Sequence, residues 1–423
     1  MAPDASPHST ILILGGSYSG ISTAHYLLKH VLPRLSSSYQ VVLISPSAHA
    51  MCRPACPRAL ISDEFFNQDK LFVDIATQFA QYPGERFRFI HGSAVSLNSE
   101  GRTVSIAPVS SDVNAAPTVE IITFYALVIA TGASTPSSLL GFNSGGRESL
   151  RENWSVIRKA LPSTKSIVIA GGGPTGIETA GELGEYLNGR AGWFTSKLEN
   201  PKVKITVVSA GAQILPILRP GLAKKAEDML AKFGVTVLKS TRIVSMSPQI
   251  SGGSLENLVT NTTITLSNGE TIETDLYIPA TGTTPNTAFI PKALLTADGR
   301  VSTDTQTLRI TNFSATPRIY SIGDCSSAFR PAVHNILSAV PILVANMKKD
   351  LLLAEGDQAT GNDRLFKEDT REMQMVPIGR SMGVGAAMGW ALPSWMVWLV
   401  KGRDYWLWTT GGLWSGKHWA KES

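Results

Sequence analysis

The sequence predicts an α/β fold: two interleaved units of one plan, then a small C-terminal α+β domain. Three observations predict it. Glycine turns at Gly15–Gly20 and Gly171–Gly176 each follow a short apolar run and open a helical pattern. Each turn is followed much later by an Ala-Thr-Gly triplet, at Ala130-Thr131-Gly132 and Ala280-Thr281-Gly282. The turns lie 156 residues apart (171 − 15) and the triplets 150 (280 − 130), so two ordered motifs are displaced by nearly one distance.

The elements follow in order. Thr10 to Leu14 is an apolar strand, and Ile21, Ala24, Leu27 and Leu28 mark the helix after the first turn. Val41 to Ser45 is the second strand, and Gly101 separates two β-rich runs. Tyr125 to Ile129 leads into the first triplet. Ser166 to Ala170 opens the second unit, and a helix is expected over Ile177 to Leu187. Val203 to Ser209 repeats the second strand. Asn268-Gly269 joins two β-rich runs as a two-residue hairpin turn. Leu276 to Pro279 leads into the second triplet, and Arg318 to Ile322 into Gly323-Asp324. The Ser/Gly/Asn-rich stretches Ser110 to Thr118 and Ser247 to Asn261 read as surface loops. Parallel strands alternating with helices predict helices over both faces of each sheet.

Composition excludes several classes. Hydrophobic residues at 43% supply a large core, which a disordered chain lacks. A net charge of +5, spread without a block of like charges, gives no nucleic-acid footprint. Cys52, Cys56 and Cys325 have neither a disulfide framework nor zinc spacing, and no metal is expected. There is no secretory signal and almost no room for a transit peptide before the strand at Ile11. A reducing, cytoplasmic setting is the expectation.

The glycines carry chemistry. A strand–turn–helix glycine turn aims backbone N–H groups and the positive end of the helix at a pyrophosphate. One such turn is weak evidence; two in context, each with its triplet, predict two Rossmann-like nucleotide-binding domains. In the first turn, Gly15 and Gly20 fit, with Gly16, Ser17, Tyr18 and Ser19 between them. Ser17 replaces the usual middle glycine, but its hydroxyl can donate to phosphate. The second turn, with Gly171, Gly173, Pro174 and Gly176, fits throughout. Ser45 and Ser209 stand where an acid would bind a ribose hydroxyl. No carboxylate there repels a 2′-phosphate, so both NADH and NADPH are expected to react.

Together the turns, triplets and Gly323-Asp324 resemble the FAD/NAD(P)-dependent oxidoreductases of the pyridine nucleotide-disulfide superfamily. The likeness is greatest to the apoptosis-inducing-factor-like branch with the ferroptosis suppressor proteins and their fungal relatives; type II NADH dehydrogenases are more distant. It spans about residues 10 to 410. The resemblance implies an FAD domain over 10–150 and 290–375, an NAD(P)H domain over 151–289 and a cap over 376–423. It implies FAD pyrophosphate at Gly15–Gly20 and flavin contacts from Arg58, from Ala94 near the adenine, and from Asp324 on the ribityl chain. Ala130, Thr131, Gly132 and Gly282 close the two sites, and the second turn takes NADH or NADPH. It places Glu178 near the nicotinamide–flavin contact, and Lys401 and Trp406 near the flavin. Lys401 beside the ring would stabilise negative charge there or on a quinone oxygen.

Each reading has a plainer competitor. Glu178, followed by Glu182 and Glu185, can be a solvated helix face; Lys401 can be a surface lysine. His25, His30 and His49 lack metal spacing and read as structural, and His334 follows Gly323-Asp324 by ten residues. Cys52 and Cys56 lie where flavin disulfide reductases carry a redox pair, but with three intervening residues instead of four, and His418 and Glu422 are one residue short of the matching acid–base pair. Seven of nine tryptophans lie from Trp390 onward, and no charge occurs between Ser381 and Val400. A strand and an amphipathic helix from about Pro393 to Val400 are expected, meeting a membrane surface or, alternatively, a homodimer partner or the flavin domain. The reading is an FAD-dependent NAD(P)H oxidoreductase with a quinone-type acceptor. Its rivals are a specialised reductase of a small biosynthetic metabolite and a non-enzymatic NADH-sensing flavoprotein.

Overall fold

The computed structural model describes residues 9–109, 119–142, 145–192, 194–248, 259–311, 318–357 and 361–422. The loop expected over Ser110 to Thr118 lies outside these residues, as does most of the one expected over Ser247 to Asn261.

The apolar runs form two parallel sheets. The first has seven strands in the order Ile319–Ser321, Ala126–Ile129, Ser9–Leu14, Tyr39–Ser45, Phe87–Asn98, Thr103–Pro108, Glu120–Thr123. The first five run parallel, and the last two add an antiparallel meander. The second sheet has four parallel strands: Val235–Leu238, Lys204–Val208, Ser166–Ala170 and Leu276–Pro279. In each, the strand before the glycine turn is central, and the strand before the triplet lies at its side.

Side-chain alternation sorts the layers. Ile11 and Ile13 join a core with residues of the helices Tyr18–His30 and Val333–Ala354. Leu12 and Leu14 face the other way, into a core with Leu97, Val104, Ile106 and Ile290. The second sheet repeats this arrangement. Ile167 and Ile169 pack with Ile177, Ala180 and Leu183 of the helix Pro174–Asn188. Val168 and Ala170 pack with Ile264 and Leu266 of a three-stranded antiparallel sheet. The expectation of helices on both faces is therefore corrected: each parallel sheet has helices on one face and β-structure on the other. The β-rich runs around Gly101 and Asn268-Gly269 were legible as hairpins, and these hairpins supply the second layer.

Two short segments tie the units. Ala133–Ser134, just after the first triplet, pairs antiparallel with Thr284–Pro285, just after the second. The Asn286 side chain donates to the Thr131 carbonyl at 2.9 Å. The cap is a three-stranded antiparallel sheet, Gln374–Ile378, Met382–Ala387 and Trp390–Ala391. The expected helix is shorter than predicted, Ser394–Val397, and widens into a π-helical turn, Trp398–Gly402.

The tail then returns to the first unit, where the histidines act as joints. His25 Nε2 meets the Trp414 carbonyl at 2.8 Å and Nδ1 meets the Tyr82 hydroxyl at 2.9 Å. His30 Nε2 meets the Trp419 carbonyl at 2.8 Å. A neutral His25, donating at Nε2 and accepting at Nδ1, satisfies both partners. Burial holds its pKa down at about 4. Because the folded value lies below the unfolded one, stability is full above pH 6.5 and is lost as pH falls toward 4. The loss is about 3 kcal/mol. Denaturation midpoints at pH 7 and pH 4.5 should show it, and His25→Asn should flatten the difference; an equal drop in that variant would assign the loss elsewhere.

Candidate active site

Three distant pieces converge at the carboxyl ends of the first sheet. Gly15 N–H bonds the Ile44 carbonyl and Ala130 N–H the Leu14 carbonyl, both at 2.8 Å. Gly15 has φ +119°, and a Cβ on it would lie 2.2 Å from the Ala130 oxygen. Ile322 N–H bonds the Ile129 carbonyl, which delivers Gly323 beside Ser19. The helix Tyr18–His30 begins without a capping side chain or an acid in its first turn. Ser17, exposed at its N-cap, leaves its hydroxyl and the first N–H groups available. Asp324 accepts no hydrogen bond among the described residues. Burial raises its carboxyl pKa, against the pull of Arg53 and Arg300. A bare helix N-terminus beside this carboxylate suits a ligand that carries both phosphate and hydroxyl groups.

The second sheet builds the same cradle. Gly171 N–H bonds the Val208 carbonyl, and Ala280 N–H bonds the Ala170 carbonyl. A Cβ on Gly171 would lie 2.3 Å from the Ala280 oxygen. Gly173 at the N-cap and Gly282, which ends the triplet, have no heavy atom within 4 Å of a Cβ position, so both border open space. Gly132 does the same in the first unit. Ser45 and Ser209 sit behind their turns: a Cβ on Gly16 would meet the Ser45 side chain, and one on Gly172 the Ser209 side chain. Each serine is therefore a packing partner of its turn as well as the missing acid.

The helix Pro174–Asn188 presents its three glutamates to the cap. Glu178 and Lys401, 3% and 6% exposed, form an ion pair, and Lys401 Nζ also reaches the Met375 carbonyl at 3.1 Å. Burial raises Glu178 to a pKa of about 7, although Lys401 and Arg58 oppose the shift; Glu182 adds to it. One turn on, Glu182 accepts from the Tyr405 hydroxyl at 2.9 Å. Glu185 accepts from Arg190 at 2.8 Å and from the Arg380 backbone. The solvated-face reading of these glutamates fails because the cap covers the face. Glu182 and Tyr405 were missed as site residues; the spacing of 178, 182 and 185 along one helical stripe was the available signal.

Arg58, expected at the flavin, is buried with its N–H donors engaged within the protein. Nε and Nη2 bind Glu182 at 3.0 and 2.8 Å, Nη1 binds the Gly402 and Arg403 carbonyls at 2.8 and 3.2 Å, and Nη2 reaches the Gly379 carbonyl at 3.4 Å. A guanidinium has no further donor to offer. Ala94 lies at an irregularity in the strand Phe87–Asn98, beyond the His91–Ser45 pairing. Trp406 stands 5.0 Å from Lys401 Nζ.

A polar chain runs from the first turn to the second helix. The Tyr18 hydroxyl meets Cys52 Sγ at 3.5 Å, Cys52 Sγ meets the Tyr405 carbonyl at 3.3 Å, and Tyr405 meets Glu182. Lys401 adjoins this chain through Tyr405, whose N–H bonds the Lys401 carbonyl at 2.6 Å. Burial pushes Cys52 up to about 11 and Cys56 to about 12, so neither is a thiolate near neutral pH.

The family model described as pyridine nucleotide-disulphide oxidoreductase matches residues 9–341. The oxidoreductase phnG of Penicillium herquei is 60% identical over 100% of both chains. Ferroptosis suppressor protein 1 of Xenopus tropicalis is 22% identical over 93% of this chain and 92% of its own. The structure of NDH2 from Plasmodium falciparum superposes with a TM-score of 0.66 at 14% identity, covering 99% of each chain, and shows the shared fold.

Proposed function

This chain belongs to the pyridine nucleotide-disulphide oxidoreductase family, and from that premise we propose an FAD-dependent NAD(P)H oxidoreductase that reduces a quinone-type acceptor. The balanced reaction takes NAD(P)H, a proton and a quinone to NAD(P)⁺ and a hydroquinone. The observation that carries the proposal is the repeated glycine cradle, with the Glu178–Lys401 pair joining the helix of the second cradle to the cap. FAD would lie on the first cradle and the cap-facing side of residues 10–150 and 290–375; NAD(P)H would lie on 151–289. FAD supplies the two-electron relay between nicotinamide and acceptor.

The chain's own residues do the rest. The two bare helix N-termini hold pyrophosphates, and Asp324 takes a hydroxyl of the FAD chain. The crossed segments Ala133–Ser134 and Thr284–Pro285 fix one cradle against the other, which keeps donor and acceptor rings in register. Lys401 offsets negative charge at the reacting rings, and Glu178 holds or releases a proton beside it.

The cap supports a lipid-borne acceptor. Trp390, Trp395 and Trp408 are 79%, 61% and 58% exposed, with Met388 and Leu399 among them. Exposed tryptophans of this kind suit a membrane interface. Among the described residues no helix is long and apolar enough to cross a membrane. A cleft lined by Ile61, Phe65, Tyr186, Glu182, Glu185 and Arg380 favours a second reading, in which a small polar aromatic metabolite is the acceptor.

The test is an anaerobic titration of the purified protein with NADH and then NADPH, followed by a soluble benzoquinone and a long-tailed quinone in vesicles. Both nucleotides should bleach the yellow colour, and both quinones should restore it. A preference for NADH above a hundredfold would refute the reading of Ser209. Bleaching without recovery by either quinone would favour the metabolite reductase. Absence of bound flavin would sink the proposal.

A further inference from the structure

We propose that Arg58 is a positioning residue for Lys401; the inference rests on the role just given to that lysine. Lys401 sits in the π-helical turn Trp398–Gly402. The segment stops abruptly, because Tyr405 and Trp406 both take the left-handed conformation, with φ +51° and +69°. Two bulky residues in that region are strained and persist only where their surroundings over-determine them. The turn's final carbonyls also need donors from outside, since a helix end lacks its own.

Arg58 supplies both requirements. Its Nη1 donates to the carbonyls of Gly402 and Arg403, the two residues directly after Lys401. Its plane lies over the Tyr405 ring at 4.8 Å, and its other edge holds Glu182 in a two-point contact. Glu182 in turn takes the Tyr405 hydroxyl, and Tyr405 N–H bonds the Lys401 carbonyl at 2.6 Å. The Lys401 backbone is thus fixed from behind by Arg58, Glu182 and Tyr405, and its ammonium is fixed in front by Glu178. No donor of Arg58 remains for a cofactor, so its effect on chemistry passes through Lys401. A lysine at position 58 could not replace it, since one ammonium cannot hold a carboxylate edge-on and two carbonyls at once.

The test compares full-length holoprotein variants by rapid-mixing absorbance. Arg58→Met with Glu182→Leu removes both charges together, which avoids leaving one buried and unpaired. FAD content and thermal midpoint are read first, then reduction by NADH, then reoxidation by a soluble benzoquinone. The pair variant should bind FAD fully and reoxidise about tenfold more slowly. Combined with Lys401→Met it should be no slower than Lys401→Met alone, because both changes remove one effect. Arg58→Lys should be slow despite its charge. Tyr405→Phe, which removes only one hydroxyl, should show the same lack of additivity with a smaller effect, and serves if the pair variant does not fold. Wild-type reoxidation in the pair variant, or effects that multiply with Lys401→Met, would overturn the inference while leaving Lys401's role intact. Full activity in Lys401→Met would instead remove that role, and this inference with it.

Discussion

Replacing Lys401 with Met is expected to slow quinone reduction about a hundredfold, the scale seen when one preorganised charge donor is removed, with FAD still bound. The lysine is buried, and its contacts run to Glu178, the Met375 carbonyl and the rings of Tyr405 and Trp406. A methionine of similar length fills the space and removes only the charge, so the packing of the cap should survive. The effect should depend on pH through its partner. Glu178 is faced by Lys401, Glu182, Arg58 and Tyr405, and burial raises its pKa to about 7. Below pH 7 it is the neutral acid and carries a proton for an acceptor oxygen; above pH 7 it is a carboxylate paired with Lys401. The rate of acceptor reduction should therefore fall as pH rises through about 7. Glu178→Gln, which cannot titrate, should flatten that inflection. Stopped-flow reoxidation between pH 5.5 and 8.5 measures both. An unchanged profile in Glu178→Gln would assign the titration to another group, and an unchanged rate in Lys401→Met would remove the charge argument.

The sequence was most informative where local rules act. The two cradles were legible because strand, glycine turn and helix occupy adjacent residues, and because the motif occurs twice. The hairpin at Asn268-Gly269 was legible for the same reason, and Gly269 takes φ +87° as such a turn requires. The second β-layer was not legible, because a hairpin's sequence does not say which sheet face it will cover. The surroundings of Arg58 were not legible for a related reason. Its partners, Glu182, Gly379, Gly402 and Arg403, lie between 124 and 345 positions away, and nothing local distinguishes an arginine that meets a cofactor from one that meets a carboxylate. The glutamate stripe at 178, 182 and 185 was visible, but a row of acids looks alike whether water or a cap faces it. Lys401 and Glu178 were each singled out by resemblance, 223 residues apart, and the fold brings them into one ion pair.

Glycines of the cradles should divide into two classes under substitution by alanine, and the difference tests whether the open space is a ligand's. A Cβ on Gly20 would lie 1.7 Å from the Gly15 carbonyl oxygen, and one on Gly176 would lie 2.0 Å from that of Gly171. These contacts are with backbone, which cannot move aside without opening the strand–turn–helix unit. Gly20→Ala should therefore yield protein without FAD, or none that folds. Gly173 differs: its backbone is extended and nothing lies within 4 Å of its Cβ position. Gly173→Ala should fold, keep FAD and retain its thermal midpoint. The new methyl would enter the space where the pyrophosphate approaches, so the KM for NADH should rise on the order of tenfold, about 1.4 kcal/mol of lost binding. The first unit shows what such a side chain demands. Ser17 stands at the matching position with its Cβ already in that space, exposed and uncapped, so its ligand must pass a side chain and can use its hydroxyl. Ser17→Gly should then weaken FAD retention while Gly173→Ala weakens only NADH. If Gly173→Ala bound NADH as well as the parent protein, the space beyond the second turn would not be where the dinucleotide lies, and the assignment of the two cradles would have to be reversed or abandoned.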